Sequence, residues 1–445
     1  RQVLMILFYV WKWLCVFVVL PQSMFHFVGL IRFNAFKKRV TLNALPLLSP
    51  FVCFRVVTRG LYPCLVKDNL ASNIDVCVRS GIVNYMFEVV TDNYIGLPSL
   101  TVVREIVVPD SYEPKSGALF KARALQYCVE DDVNKLRDSD WVVHLDEETL
   151  LTTDSVHGIL NFVESGKHDF GQGIISYACG DIVHWVNTLA DAYRSTSQLL
   201  CSRKEIPERK IKRKKCTYRV ADDLGKLRCQ LSLFHKPLFG WKGSYVVARY
   251  GAERAVTWDH GPEGSLAEDA FFGLMASQAG YSFDFIEGEM LEKSPFTTMD
   301  YLRQRKRWLE GLILTVHSKQ IRVFYKLLLA TSIYSWLLSP LILAQIVCTC
   351  LGLVRLPVCP ILDSILMALQ AVYIYMVAFG AMRSFAPRYR SNISTLVLCC
   401  IGACLTIPYS IVMQVLSVFL LCLGPKKDFY IVKKETGAAA NIDYV

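Results

Sequence analysis

The chain lacks the two commonest nucleotide cradles. No Walker A sequence occurs in its 445 residues, and no complete G-x-G-x-x-G turn. Gly171 and Gly173 are followed by Ser176 where a third glycine would be needed, inside a strand-like stretch. A P-loop ATPase and a dinucleotide-dependent hydride transferase are therefore poor readings. Sixteen cysteines are present, yet none forms a zinc-like CxxC pair, and seven fall after residue 345 in or beside apolar runs. That is no disulfide framework. Charge is the third absence: residues 327–354, 364–382 and 391–425 carry none. A hydrocarbon core of roughly 30 Å needs about 20 apolar helical residues, so each run is long enough to cross. The third is too long for one comfortable span and short for two, with Pro408 near its middle. The number of C-terminal spans stays open. These runs also lack the buried charges of an ion path, which argues against a transporter.

What is present divides the chain. Hydrophobic residues make up 53 %, an excess concentrated at the two ends. Residues 13–31 are free of formal charge and are followed by "RFNAFKKRV", which predicts a membrane anchor within 1–40. Transmembrane helices are expected over 325–425, then a polar tail over 426–445. Arg32, Lys37, Lys38 and Arg39 follow the first span, and Arg303, Arg305, Lys306 and Arg307 precede the next. Positive-inside bias places the region between them in the cytosol. Most of the net charge of +10 sits in residues 201–219, with nine basic and two acidic side chains. A solvated loop and a contact with anionic headgroups fit that segment equally. Nucleic acid fits it less, since no aromatic platform is interleaved. "NIS" at Asn392 abuts an apolar run, where a glycan has little room.

The middle alternates strand and helix. Strand-like runs occupy 51–60, 82–92, 101–109, 141–145 and 170–178. Helical patterns run from Tyr62 to Gly81, from 116 to 133, and through Glu164 from an N-cap at Thr153 or Asp154. Near-continuous apolar strands separated by helices predict an α/β fold with a parallel sheet covered on both faces. Ligands of such sheets bind beyond the carboxyl ends of the strands, where Asp92 and Asp146 fall.

Asp146, Glu147 and Glu148 follow "WVVHL" directly. In an extended segment residues i and i+2 share a side, so Asp146 and Glu148 face one way and Glu147 the other. Two hard oxygen ligands suit Mg²⁺ or Mn²⁺; a solvated acidic turn is the blander alternative. Glu268 and Asp269 open a helix that closes at Gly280, and "TMDYLRQRKRWLEGLIL" makes an amphipathic helix leading to the first C-terminal span.

A strand-end acid ("VVTD"), the "LDEE" triplet, the "ED" pair and "QRKRW" before a span occur in that order. The set resembles the family 2 inverting glycosyltransferases, which implies a GT-A fold: a Rossmann-like, mostly parallel sheet flanked here by transmembrane helices. Longer stretches, among them "VVTRGLYPCLVKDNL", "PKSGALFKARALQYC", "WKGSYVVA" and "EGEMLEKSPFT", resemble the egghead-type β-1,4-mannosyltransferases. The likeness covers roughly residues 50–320, and 201–229 departs from it as an insertion or divergent loop.

Carried over by position, the resemblance implies that Thr58 and Asp92 contact the nucleoside and that Lys115 lies near the donor phosphates. Asp146 and Glu148 would take the outer DxD positions, on ribose and metal, the glutamate lengthening the second arm. Asp269 would be the general base, with Glu268 on the acceptor side. Gln304, Arg305, Arg307 and Trp308 would line the pyrophosphate and the acceptor sugar. The implied partners are GDP-mannose, glucosylceramide and a lipid bilayer, the implied cofactor is Mn²⁺ or Mg²⁺, and the implied setting is the Golgi or endoplasmic reticulum. A processive polysaccharide synthase shares "QxxRW" and is the alternative enzyme. A membrane scaffold with a degenerate nucleotide-sugar domain is the non-enzyme reading, and the retention of Asp92, Asp146, Glu148 and Asp269 speaks against it.

Overall fold

The structure is a computed structural model that describes residues 2–33, 40–177, 182–192, 223–353, 358–389 and 392–424. The basic segment 201–219, the cluster 37–39 and the tail 426–445 lie outside them. A long helix α1 (Gln2–Arg32) comes first. The central region then runs β1 (Val52–Thr58), α2 (Pro63–Arg79), β2 (Tyr85–Thr91), β3 (Val103–Val107), α3 (Phe120–Tyr127), β4 (Trp141–Asp146), α4 (Thr153–Ser165) and β5 (Phe170–Ser176). After them come α5 (Trp185–Ala192), α6 (Arg228–Phe234), β6 (Val246–Arg249), α7 (Tyr250–Val256), α8 (Glu268–Gln278), β7 (Phe283–Leu291) and α9 (Thr298–His317). The C-terminal helices are α10 (Val323–Leu337), α11 (Ser339–Cys350), α12 (Pro360–Tyr389), α13 (Ile393–Leu405) and α14 (Ile407–Leu423).

Seven strands form one sheet in the order β3-β2-β1-β4-β6-β5-β7. The sheet is mostly parallel. β6 is the exception, running antiparallel to both β4 and β5. Its four residues, between a glycine-rich turn and α7, are too few to show a period in the sequence. Val52, Phe54, Phe87, Trp141, Val143 and Leu145 are buried on the sheet. A charged network is buried as well. Arg55 pairs with Glu88 at 2.9 Å and reaches Glu253 at 3.5 Å, while Trp258 Nε1 donates to Glu253 at 2.7 Å. Burial pushes the Glu253 carboxyl up, but His144 at 3.0 Å together with Arg55 outweighs it and holds it at about 2.

Two local expectations need correction. The N-cap of α4 is Thr152, not Thr153 or Asp154. Its hydroxyl accepts from Ser155 N–H and Ser155 Oγ accepts from Thr152 N–H, a reciprocal capping box. The helix expected over 116–133 shrinks to α3, because Asp259 accepts from Ser116 N–H at 2.5 Å and Ala118 N–H at 3.1 Å. Those two bonds hold the approach as a loop.

Among the described residues, three helices are long and apolar enough to cross a membrane: 6–29 in α1, 360–382 in α12, and 393–423 across α13 and α14. By length and composition the last makes the undecided run one 31-residue candidate span, with Pro408 in the first turn of α14, where its missing N–H is harmless. α10 and α11, bent by 43° at their junction, make a fourth if they act together. Asn392 caps α13, its side chain accepting from Thr395 N–H at 3.1 Å. α1 also docks on the central region. A Cβ at Gly29 would stand 2.0 Å from the Gly225 carbonyl oxygen, so only glycine permits that crossing.

Candidate active site

A cavity of about 1780 Å³ opens beyond the carboxyl ends of β1, β2 and β4. Asp146 is the last residue of β4, and the chain turns there: Thr149 N–H donates to the Asp146 carbonyl at 3.0 Å. Leu150 then bridges Leu291 at the end of β7, which brings Glu292 beside the triplet. Thr149 Oγ1 donates to Glu292 at 2.6 Å. Asp146 and Glu148 are half-buried at the cavity. Glu147 is 7 % exposed and accepts from the Thr58 hydroxyl, while its carbonyl accepts from Asn69 at 2.9 Å. Thr58, assigned by resemblance to the nucleoside, is thus held by Glu147 at the cavity's edge.

A positive charge at the triplet comes from Lys121, in the first turn of α3. Its Nζ lies 2.5 Å from Asp146 Oδ1, 3.2 Å from the Gly243 carbonyl and 3.8 Å from Glu268. Burial alone would favour the neutral amine, but Asp146 and Glu268 raise its pKa well above the ordinary lysine range. Lys115 is exposed on the loop before α3, away from the cavity lining, whereas Lys121 and Arg123 belong to it. Arg123 lies 3.4 Å and Arg59 3.5 Å from Asp92.

Across the cavity, Asp269 sits in the first turn of α8. Burial, then the neighbouring charge of Glu268, pushes its carboxyl up to about 7 against the pull of Ala270 N–H, Lys121 and Arg307. Glu292 is pushed up to about 8 by burial and by Glu148 and Asp146. Gln304, Arg305, Arg307 and Trp308 on α9 complete the wall, so every residue the resemblance singled out except Lys115 lines one cavity.

The family model described as Glycosyl transferase family group 2 matches residues 141–204 and 209–383. The chain is 53 % identical over 419 residues to "Beta-1,4-mannosyltransferase bre-3" of Caenorhabditis elegans, covering 94 % of this chain and 86 % of that protein. The Caenorhabditis briggsae protein of the same name matches equally. "Beta-1,4-mannosyltransferase egh" of Drosophila melanogaster is 48 % identical over 434 residues, covering 98 % of this chain and 89 % of that one. This chain belongs to the β-1,4-mannosyltransferase branch of the family 2 glycosyltransferases.

In this glycosyltransferase the "QRKRW" segment is supported from behind. Arg305 is buried, pairs with Asp191 of α5 at 2.7 Å, and lies over the rings of Tyr301 and Trp308 at 4.4 and 4.5 Å. Asn187, also on α5, donates to the carbonyls of Pro295 and Thr297 and accepts from Tyr409 of α14 at 2.7 Å. α5 therefore ties the start of α9 to a membrane helix. Asp191→Ala leaves a buried guanidinium unpaired, which typically costs about 3–5 kcal/mol. Thermal unfolding of the purified protein should show a drop of that order, with transfer activity lost in parallel.

The divalent cation implied by the resemblance finds a suitable donor set in Asp146 and Glu148, both hard oxygen ligands. Glu292, raised first by burial and then by Glu148 and Asp146, marks like charges there that such an ion would offset. Among the described residues, no three His, Cys, Asp or Glu side chains converge to hold a metal by themselves.

Proposed function

We propose that this enzyme transfers mannose from GDP-mannose to glucosylceramide, forming a β-1,4-mannosyl linkage in one inverting displacement at a membrane surface. The observation that carries the reading is Asp269. It is a half-buried carboxylate with a raised pKa of about 7, in a cavity it shares with Lys121, Arg307 and the Asp146–Glu148 pair.

Each residue then has a task. A single displacement needs one base for the acceptor hydroxyl proton, and Asp269 takes it. Lys121, Arg123 and Arg307 offset charge developing on the departing diphosphate. Asp146 and Glu148 would hold Mn²⁺ or Mg²⁺, which supplies further electrostatic stabilisation of that leaving group. Asp92 and the Thr58–Glu147 pair shape the nucleoside side, and Gln304, Trp308 and Glu268 the acceptor side. The enzyme is read as a multi-pass protein of the Golgi or endoplasmic reticulum with its catalytic region cytosolic, following the basic residues that flank that region.

Membranes containing the enzyme should convert glucosylceramide and GDP-mannose, in the presence of Mn²⁺, to a product carrying one added mannose. UDP-glucose and UDP-N-acetylglucosamine should not replace the donor. The cavity reaches in among the membrane helices, which gives the processive synthase reading one supporting feature. A polymeric product would favour it and sink the single-transfer reading.

A further inference from the structure

The cavity does not stop at the catalytic residues. Beyond Trp308 it continues between α1, α10, α11, α12 and α14, which line it with apolar residues, five serines, His26 and four glutamines: Gln22, Gln345, Gln370 and Gln414. A primary amide inside a membrane is costly unless it is hydrogen-bonded, so glutamines on four different helices around one void call for a reason. For two of them helix packing supplies it. Ser332 donates to Gln22 at 3.2 Å, and Trp11 Nε1 donates to Gln345. Gln370 and Gln414 are different. Among the described residues, no group hydrogen-bonds to either side-chain amide; Gln370 is exposed and Gln414 half-buried at the cavity, and Gln414 is otherwise engaged through its backbone carbonyl, by Trp336 and Ser417.

The chemistry of the lining narrows the occupant. None of the lining residues contributed by these five helices is Lys, Arg, Asp or Glu. A lipid phosphate would find no counter-charge there. A carboxamide both donates and accepts, which matches hydroxyl and amide groups on an uncharged molecule. We propose that Gln370 and Gln414 form an intramembrane subsite for the uncharged, hydroxyl- and amide-bearing neck of the acceptor lipid, setting acceptor specificity below the catalytic level. This rests on the proposed transfer to a glycolipid. It adds which residues recognise the lipid portion and where.

The test uses the full chain in nanodiscs and a paired variant, Gln370→Met with Gln414→Met, which keeps side-chain length and removes the amides. Two acceptors are compared: glucosylceramide, and octyl β-glucoside, which carries the sugar without the amide-bearing neck. Losing two neutral hydrogen bonds should raise KM for glucosylceramide about tenfold. KM for GDP-mannose, kcat and KM for octyl β-glucoside should stay where they were. Retention of glucosylceramide by donor-free protein, read by native mass spectrometry, should fall by a similar factor. An unchanged glucosylceramide KM and retention overturns the proposal, as does an equal KM rise for both acceptors, which marks a packing defect. So does wild-type protein that retains bilayer phospholipid in place of the glycolipid. Wild-type protein that retains glucosylceramide in a Gln370- and Gln414-dependent way yet transfers no mannose overturns the proposed reaction and leaves this subsite standing.

Discussion

Asp269→Asn is expected to lower transfer by about 10²–10⁴-fold, the usual contribution of a positioned general base, with donor affinity nearly unchanged. The substitution is almost isosteric and removes the carboxylate assigned as the base. The amide oxygen it introduces can still accept from Ala270 N–H, so the start of α8 should keep its geometry. The comparison is steady-state transfer beside donor binding measured by calorimetry. Retention of most of the activity would take the base assignment away from Asp269.

The pH dependence has a defined sign. A base works deprotonated, and burial with Glu268 lifts the Asp269 carboxyl to about 7. kcat/KM should therefore rise with pH through about 7 and level off, and the residual rate of Asp269→Asn should lack that rise. Stability runs the other way. The folded protein holds a proton on Asp269 that the unfolded chain releases near 4, so stability falls as pH rises from there and the loss is complete above 7. Glu292, lifted to about 8, adds to the same trend over a slightly wider window.

The sequence carried more of this site's strands than of its charges. β1, β2, β4 and β5 announce themselves as apolar runs, and the acids at their ends follow from strand termination alone. Lys121 was hidden, because nothing local distinguishes it from Lys115; only the direction of α3 brings it to Asp146, 25 residues on. Glu292 meets Thr149 across 143 residues and Arg305 meets Asp191 across 114. Both depend on which strand or helix lies beside which. β6 was equally hidden, since its antiparallel insertion between β4 and β5 is a property of the whole sheet. The glutamines had no visible role in the sequence, where they read as scattered polar residues within apolar runs, because four separate helices must assemble before they share a cavity.

Within the acidic triplet, Asp146→Ala is expected to lower kcat/KM by about 10²–10³-fold and to abolish the response to added Mn²⁺. Two losses combine. One oxygen ligand for the cation goes, and the half-buried Lys121 is left with the Gly243 carbonyl at 3.2 Å and the more distant Glu268 at 3.8 Å. The second loss also predicts a lower thermal midpoint, as a half-buried ammonium that loses its nearest carboxylate is unfavourable. Glu147→Gln separates the neighbours. Its amide oxygen can still accept from Thr58, so activity should stay within about threefold and stability within about 1 kcal/mol. Transfer measured across a Mn²⁺ titration distinguishes the two positions. Were Glu147→Gln to lose activity and cation response as Asp146→Ala does, the carboxylate on the buried side of the triplet would be the ligand. The orientation argued from alternation along the strand end would then be wrong.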